Sequence, residues 1–205
     1  MRLRYDRNAE GKLEMSNYLI KQGNSKILLD DKTVLEIGMG KGEMIVELAN
    51  AYPELNFIGL EKYPTVAAKC IKKANEYKLS NFKILIDDAF KVDEIFEGQC
   101  KVIWLTFSDP WPKARHEKRR LTHPLFLEKY KKILDKDGIL KFKSDNDGLY
   151  EFSLLSLQNS HWRIIDHGTD LHNSKHNEDN YQTGYERKWS EKGKKINYIF
   201  AQKGE

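Results

Sequence analysis

From residue 33 onward, short runs of β-branched and aromatic residues alternate with longer stretches whose apolar positions recur every three or four residues. The first pattern marks buried strands and the second amphipathic helices. Thr33 to Ile37 is expected as a strand, Glu43 to Ala51 as a helix, Asn56 to Leu60 as a strand, and Tyr63 to Lys78 as a helix with Val66, Ala67, Cys70, Ile71 and Ala74 on one face. Phe82 to Ile86 reads as the third strand and Phe90 to Phe96 as a short helix. Lys101 to Phe107 is the most hydrophobic run and therefore the expected central strand, covered on both faces. A helix over Thr122 to Leu134, a strand over Gly138 to Lys143 and a helix over Gly148 to Asn159 follow. Trp162 to Asp166 and Ile196 to Gln202 close the sheet as an antiparallel pair, because no helical pattern separates them. The alternation predicts an α/β fold: a doubly wound, mostly parallel, seven-stranded sheet with helices on both faces. Two segments stay outside the pattern, a basic arm before residue 25 and a polar loop from about His167 to Lys195.

A length of 205 residues, with 40% apolar and 11% aromatic content, suits one domain spanning residues 1–205. No stretch approaches the roughly 20 apolar residues of a membrane span, and the first residues are charged, so a soluble, cytoplasmic chain is expected. Cys70 and Cys100 lack the spacing of a zinc site, which favours reduced thiols and no metal. The net charge of +4 is too small to define a partner by itself.

In open α/β sheets, ligands bind beyond the carboxyl ends of the strands. Five successive strand ends here carry acids: Glu36 before the Gly38, Gly40, Gly42 loop, then Glu61, then Asp87 and Asp88, then Asp109 within Ser108-Asp-Pro-Trp-Pro112, and finally Asp145. Ordinary helix capping accounts for one or two such acids. Glycines at 38, 40 and 42 permit a tight turn and close ligand approach at a helix N-terminus. The spacing is not that of a dinucleotide loop, and Glu43 stands where a pyrophosphate would lie, which favours a nucleoside without phosphates. Glu61 suits the two ribose hydroxyls and Asp88 an adenine amino group, so the set reads as a site for S-adenosylmethionine.

The surplus charge is local. Lys113 to Arg120 holds five Lys or Arg and one Glu, an excess of four that equals the net charge of the whole chain. Such a run is commonly a solvated face, but its position beside the proposed cofactor site favours a nucleic-acid phosphate surface, which Arg2, Arg4 and Arg7 would extend. His167, His172 and His176, with Asp170 and Glu178, match no familiar zinc spacing. Thr183-Gly-Tyr-Glu186 places in the same loop an acid able to accept from two donors.

With Asp109-Pro-Trp-Pro-Lys113, His116-Glu-Lys-Arg-Arg120 and Thr183-Gly-Tyr-Glu186, the chain closely resembles the bacterial tRNA (guanine-N7)-methyltransferase family over nearly its whole length. The resemblance implies a class I fold, S-adenosylmethionine as cofactor, and tRNA as partner, methylated on guanine 46 of the variable loop by a monomer or homodimer. By matching position, Glu36, Gly38, Gly40, Gly42, Glu61, Asp88 and Asp109 would hold or enclose the cofactor, with Asp109 catalytic. Lys113, Asp145, Thr183, Gly184, Tyr185 and Glu186 would bind the substrate, while Arg115, His116, Glu117, Lys118, Arg119 and Arg120 would lie against RNA. Asp109 or Glu186 is expected to accept from the guanine N1–H and 2-amino group, and Trp111 or Tyr185 to stack on the base. The competing readings are an amino-group methyltransferase, a non-catalytic S-adenosylmethionine-binding RNA module and a nicotinamide dehydrogenase, the last disfavoured by the glycine spacing and Glu43.

Overall fold

A computed structural model describes residues 5–21, 23 and 25–204. In chain order, α1 (Ala9–Glu14) and β1 (Ile27–Leu29) precede β2 (Thr33–Ile37), α2 (Glu43–Ala51), β3 (Asn56–Glu61), α3 (Pro64–Ala67), α4 (Ile71–Glu76), β4 (Phe82–Ile86), α5 (Val92–Ile95), β5 (Phe96–Gly98) and β6 (Cys100–Thr106). Then come α6 (Pro124–Ile133), β7 (Leu134–Ser144), α7 (Asp147–Asn159), β8 (Trp162–Gly168), α8 (Gly184–Ser190) and β9 (Asn197–Lys203).

Seven strands form one sheet in the order β4-β3-β2-β6-β7-β9-β8, in which β6 is the middle strand. The pairings from β4 to β7 are parallel, and β9 runs antiparallel between β7 and β8. Successive side chains of a strand face opposite sides. Leu35 and Ile37 of β2, with Ile103 and Leu105 of β6, therefore pack under α6 and α7 against Phe126, Leu127, Tyr130 and Leu149. Val34 and Trp104 face the other way, toward Met44, Ile45 and Leu48 of α2 and Ala67 of α3. A parallel sheet covered on both faces needs apolar residues at every strand position, which explains the unbroken hydrophobic runs. Strand order reverses between β2 and β6, and that crevice is the binding position of doubly wound sheets.

Several expectations need correction. The helix expected over 63–78 is interrupted by a tight 3₁₀ turn at Ala68–Cys70, where Cys70 donates to the Ala67 carbonyl at 3.1 Å and packs below Gly42. β7 starts four residues early, and a bulge carries the register from Cys100 opposite Leu134 to Val102 opposite Ile139. The amino-terminal arm, outside the predicted pattern, packs onto the domain over its described part, with Ala9, Leu13 and Tyr18 buried. Leu19 bridges to Ile84, with Ile20 N donating to the Ile84 carbonyl and Ile84 N to the Tyr18 carbonyl, both at 2.8 Å. This added stretch covers the otherwise open edge of β4. Arg7 is exposed, while Arg2 and Arg4 lie outside the described residues. The segment read as a polar loop contains the end of β8, two 3₁₀ turns at Leu171–Asn173 and Lys175–Asn177, and α8.

Candidate active site

Gly38, Gly40 and Gly42 all have positive φ, at 76°, 58° and 63°, which carries the chain from β2 into α2 in a turn that side-chain-bearing residues rarely adopt. Gly38 N and Met39 N donate to the Leu60 carbonyl at 2.8 and 3.0 Å, seating the loop on the neighbouring strand. A side chain on Gly40 would meet nothing within 4 Å, so the loop leaves open space above itself.

Two cavities meet at Gly38. One, of about 470 Å³, is lined by Glu61, Asp88, Asp109, Trp111, Lys118 and Arg119 among others. The other, of about 580 Å³, is lined by Gly40, Glu43, Thr106, Phe107, Thr183, Gly184, Tyr185, Lys188 and Trp189 among others. The first carries Glu61, Asp87, Asp88 and Asp109 together with Lys62, Lys118 and Arg119, and the second, called the aromatic cavity below, sets Phe107, Tyr185 and Trp189 among smaller and polar residues.

In the acidic cavity, Glu61 is buried, and its two oxygens accept from Gly40 N and Tyr63 N at 3.0 Å each. Burial raises its pKa, against those backbone donors. Asp88 accepts from Phe90 N at 2.9 Å as a helix cap and from Lys62 Nζ at 2.8 Å, and Lys62 is the main cause of its lowered pKa. A carboxylate has about four acceptor positions, so each acid keeps capacity for a ligand's hydroxyl or amino groups. Asp109 is exposed on this cavity. Phe107 and Trp111, on either side of it, have φ of 48° and 41°, left-handed values that side-chain-bearing residues adopt only when surrounding contacts impose them.

Arg120 supplies part of that imposition. It donates to the Pro110 and Trp111 carbonyls at 3.1 Å each, and its guanidinium lies 4.3 Å from the Phe152 ring. The charge run places Arg120 against RNA, but the structure spends it on the Asp109 loop. Arg119 lies 4.8 Å from the Trp111 ring and His116 meets that ring edge-on, so Trp111 is half-buried where it lines the acidic cavity. Lys113, Arg115 and Lys118 are exposed on or beside the 3₁₀ segment Ala114–Arg119, and Glu117 is half-buried within it.

The aromatic cavity takes its outer wall from α8. Thr183 caps this helix by accepting from Glu186 N at 3.0 Å, and Gly184 N donates to Glu43 Oε2. Tyr185 is 45% exposed, packs on Phe107 and Trp189, and donates its hydroxyl to Asp145 at 2.9 Å. Burial, followed by Asp145, pushes its phenol to about 12.

Glu186 departs from expectation. It is fully buried, with Oε2 accepting from Lys143 Nζ at 2.7 Å and Oε1 from His172 and Asn180 at 2.8 Å each. Burial acts to raise its pKa, but Lys143 and the other donors hold it below the usual range. A carboxylate so enclosed is not presented to a base. Glu36 is likewise 1% exposed and lines neither cavity. It accepts from the Thr106 hydroxyl through Oε1, while Oε2 has no hydrogen-bond partner among the described residues. Burial pushes it to about 7.

The three histidines diverge. His172 meets Glu186, His176 meets Asp166 at 2.8 Å, and His167 meets the Tyr150 hydroxyl at 2.7 Å. Among the described residues no cluster of three metal-binding side chains is found. Thr106, Phe107, Lys143, Lys188 and Trp189 belong to the site or its support, and no motif in the sequence singles them out. The Thr183-x-x-Glu186 spacing is a capping box and a usable signal for α8, although Glu186 turns inward to Lys143 instead of back to Thr183.

The sheet order, the glycine turn and the acids at its carboxyl edge define a class I S-adenosylmethionine-dependent methyltransferase. Solved structures share the fold, among them the 16S rRNA methyltransferase KamB (TM-score 0.65, 12% identity, 86% of this chain and 89% of that one). A SAM-dependent methyltransferase from Aquifex aeolicus is similar too (TM-score 0.56, 14% identity, 85% and 84% covered). Residues 30–199 match a family model described as "Putative methyltransferase". A tRNA (guanine-N(7)-)-methyltransferase of Mycoplasmopsis agalactiae is 93% identical over the full length of both chains. One of Mycoplasmopsis pulmonis is 47% identical over 97% of each. The chain belongs to the tRNA (guanine-N(7)-)-methyltransferase family.

Proposed function

We propose that the chain, acting as one catalytic domain in the cytoplasm, methylates N7 of guanine 46 in the variable loop of tRNA. The observation that carries this reading is that an acidic, nucleoside-sized cavity and the aromatic cavity share Gly38 as a lining residue. The acceptor positions left on Glu61 and Asp88, and the open space over Gly40, fit S-adenosylmethionine. When bound, S-adenosylmethionine would supply an electrophilic methyl group to the guanine N7 lone pair and leave as S-adenosylhomocysteine, with no proton to be removed from N7 beforehand.

The protein's task is therefore alignment and charge compensation, not proton abstraction. Glu61 takes the ribose hydroxyls and Asp88 the adenine amino group. With Glu186 enclosed, Asp109 is the acid of the expected pair that remains exposed, so it accepts from the guanine N1–H and 2-amino group. Its negative charge offsets the positive charge that develops on the purine. Tyr185, beside Phe107, offers the stacking face, whereas the Trp111 ring already packs against Arg119 and His116. Asp145 holds the Tyr185 hydroxyl, and Thr183 holds the first turn of α8. Lys113, Arg115 and Lys118 contact tRNA phosphates.

The test supplies methyl-labelled S-adenosylmethionine and tRNA transcripts with G or A at position 46, followed by nucleoside mass spectrometry. N7-methylguanosine from the G transcript alone is expected. Its absence from both transcripts overturns the reading, and its formation in the A transcript overturns the position.

A further inference from the structure

The glycine of Thr183-Gly-Tyr-Glu186 has no conformational reason to be one. Its φ lies outside the left-handed region, so its backbone would accept a side chain. A side chain there would instead have to displace the flexible end of Glu43. A Cβ at residue 184 would meet Glu43 Oε2 at 2.9 Å and Glu43 Cδ and Oε1 at 3.4 Å, and these are its three nearest atoms. Glu43 Oε2 occupies that place because it accepts the hydrogen bond of Gly184 N, a contact spanning 141 residues of sequence. Glu43 is the first residue of α2, directly after the cofactor loop, and Gly184 is the first residue of α8, which carries Tyr185 into the aromatic cavity. Both residues line that cavity. Lys41, 3.9 Å from Glu43 Oε1, is exposed and leaves Oε2 to the amide.

We propose that Glu43 is a positioning residue that clasps the substrate helix α8 onto the cofactor loop, so that occupancy of one half of the site sets the geometry of the other. Its effect on tRNA rests on the proposed function above, whereas the clasp itself does not. A first-turn amide has no partner within its own helix, and here the partner comes from the helix that follows the glycine loop. Withdrawing the carboxylate frees α8 to shift and blurs the position of Tyr185, which weakens base capture more than the transfer step. Binding linkage is reciprocal, so the clasp also lets bound S-adenosylmethionine tighten tRNA binding.

Glu43→Ala is expected to raise the KM for tRNA about tenfold, the scale of one hydrogen bond to a charged group, with kcat within about twofold. Glu43→Gln keeps an acceptor oxygen and should restore the KM. Gly184→Ala should push the flexible Glu43 carboxylate aside and match Glu43→Ala, while adding little in the Glu43→Ala background. Amide hydrogen exchange across residues 183–190 gives a readout free of activity, with faster exchange expected in Glu43→Ala and wild-type protection in Glu43→Gln. An unchanged KM with unchanged exchange overturns the clasp, as does equal impairment of the Gln and Ala variants. If the wild type makes no N7-methylguanosine, the proposed function falls, and the exchange result alone still decides the clasp.

Discussion

Asp109 and Glu36 are both acids at strand ends, yet their surroundings give them opposite chemistry. Asp109 is exposed on the acidic cavity, between two residues held at positive φ, and it bears on no core packing. Asp109→Ala should therefore lower N7-methylguanosine formation at least about hundredfold, on the scale of lost electrostatic stabilisation, with the melting temperature unchanged. Retained turnover would remove it from the catalytic role. Glu36 is enclosed, and burial moves it from the usual 4.5 to about 7. Between those values the folded chain holds a proton that the unfolded chain has released, so stability present below pH 4.5 is lost as pH rises toward 7. Glu36→Gln cannot ionise and should flatten that decline, gaining about 3 kcal/mol over the wild type at pH 8 relative to pH 4. Urea unfolding at the two pH values measures it, and parallel declines in both proteins would exclude Glu36 as the source.

At the level of elements, the site is held by ties between segments far apart in sequence. Lys143 on β7 and Glu186 on α8 are both 0% exposed, and Lys143 also donates to Asn180 Oδ1 at 2.8 Å and to the Tyr181 carbonyl at 2.9 Å. Lys143→Met leaves a buried carboxylate without its cation, a destabilisation of about 3–5 kcal/mol visible in urea unfolding. Lys143→Met with Glu186→Leu should recover much of it, because both the charge and its desolvation cost are gone. The loop between β6 and α6 shows the same division of labour. Arg120→Ala removes two hydrogen bonds to the strained loop and should cut turnover while leaving the salt dependence of tRNA binding unchanged. An altered salt slope would return Arg120 to the RNA-binding surface. The Lys143–Glu186 tie spans distant segments and the Arg120 tie folds a loop back on itself, which is why a charged run read along the chain does not separate Arg120, turned inward, from Arg115, turned outward.

Across the whole molecule, two cations of the Lys113–Arg120 run, Lys118 and Arg119, line the acidic cavity, and Lys113 and Arg115 are exposed beside it in sequence. Replacing Arg115 and Lys118 by Ala should weaken tRNA binding and reduce the salt slope by about one unit for each phosphate no longer neutralised, as read by fluorescence anisotropy across a KCl series. An unchanged slope would make the run a solvated face. Among the described residues, no helix is long and apolar enough to cross a membrane. The strands, the glycine turn, the central place of β6 and the acids at the carboxyl edge were legible in the sequence, because burial on both faces and left-handed turns restrict residue type at each position. α8 carried only the Thr183-x-x-Glu186 capping signal, since its seven residues are mostly polar on their own and become a wall of the site only when Thr183, Glu43 and Lys143 supply partners. The sequence by itself determined which chemistry is present. Tertiary structure decided which acids remain available to a ligand, by burying Glu186 against Lys143 and leaving Asp109 open, because desolvation and pairing depend on neighbours that only the folded chain brings together.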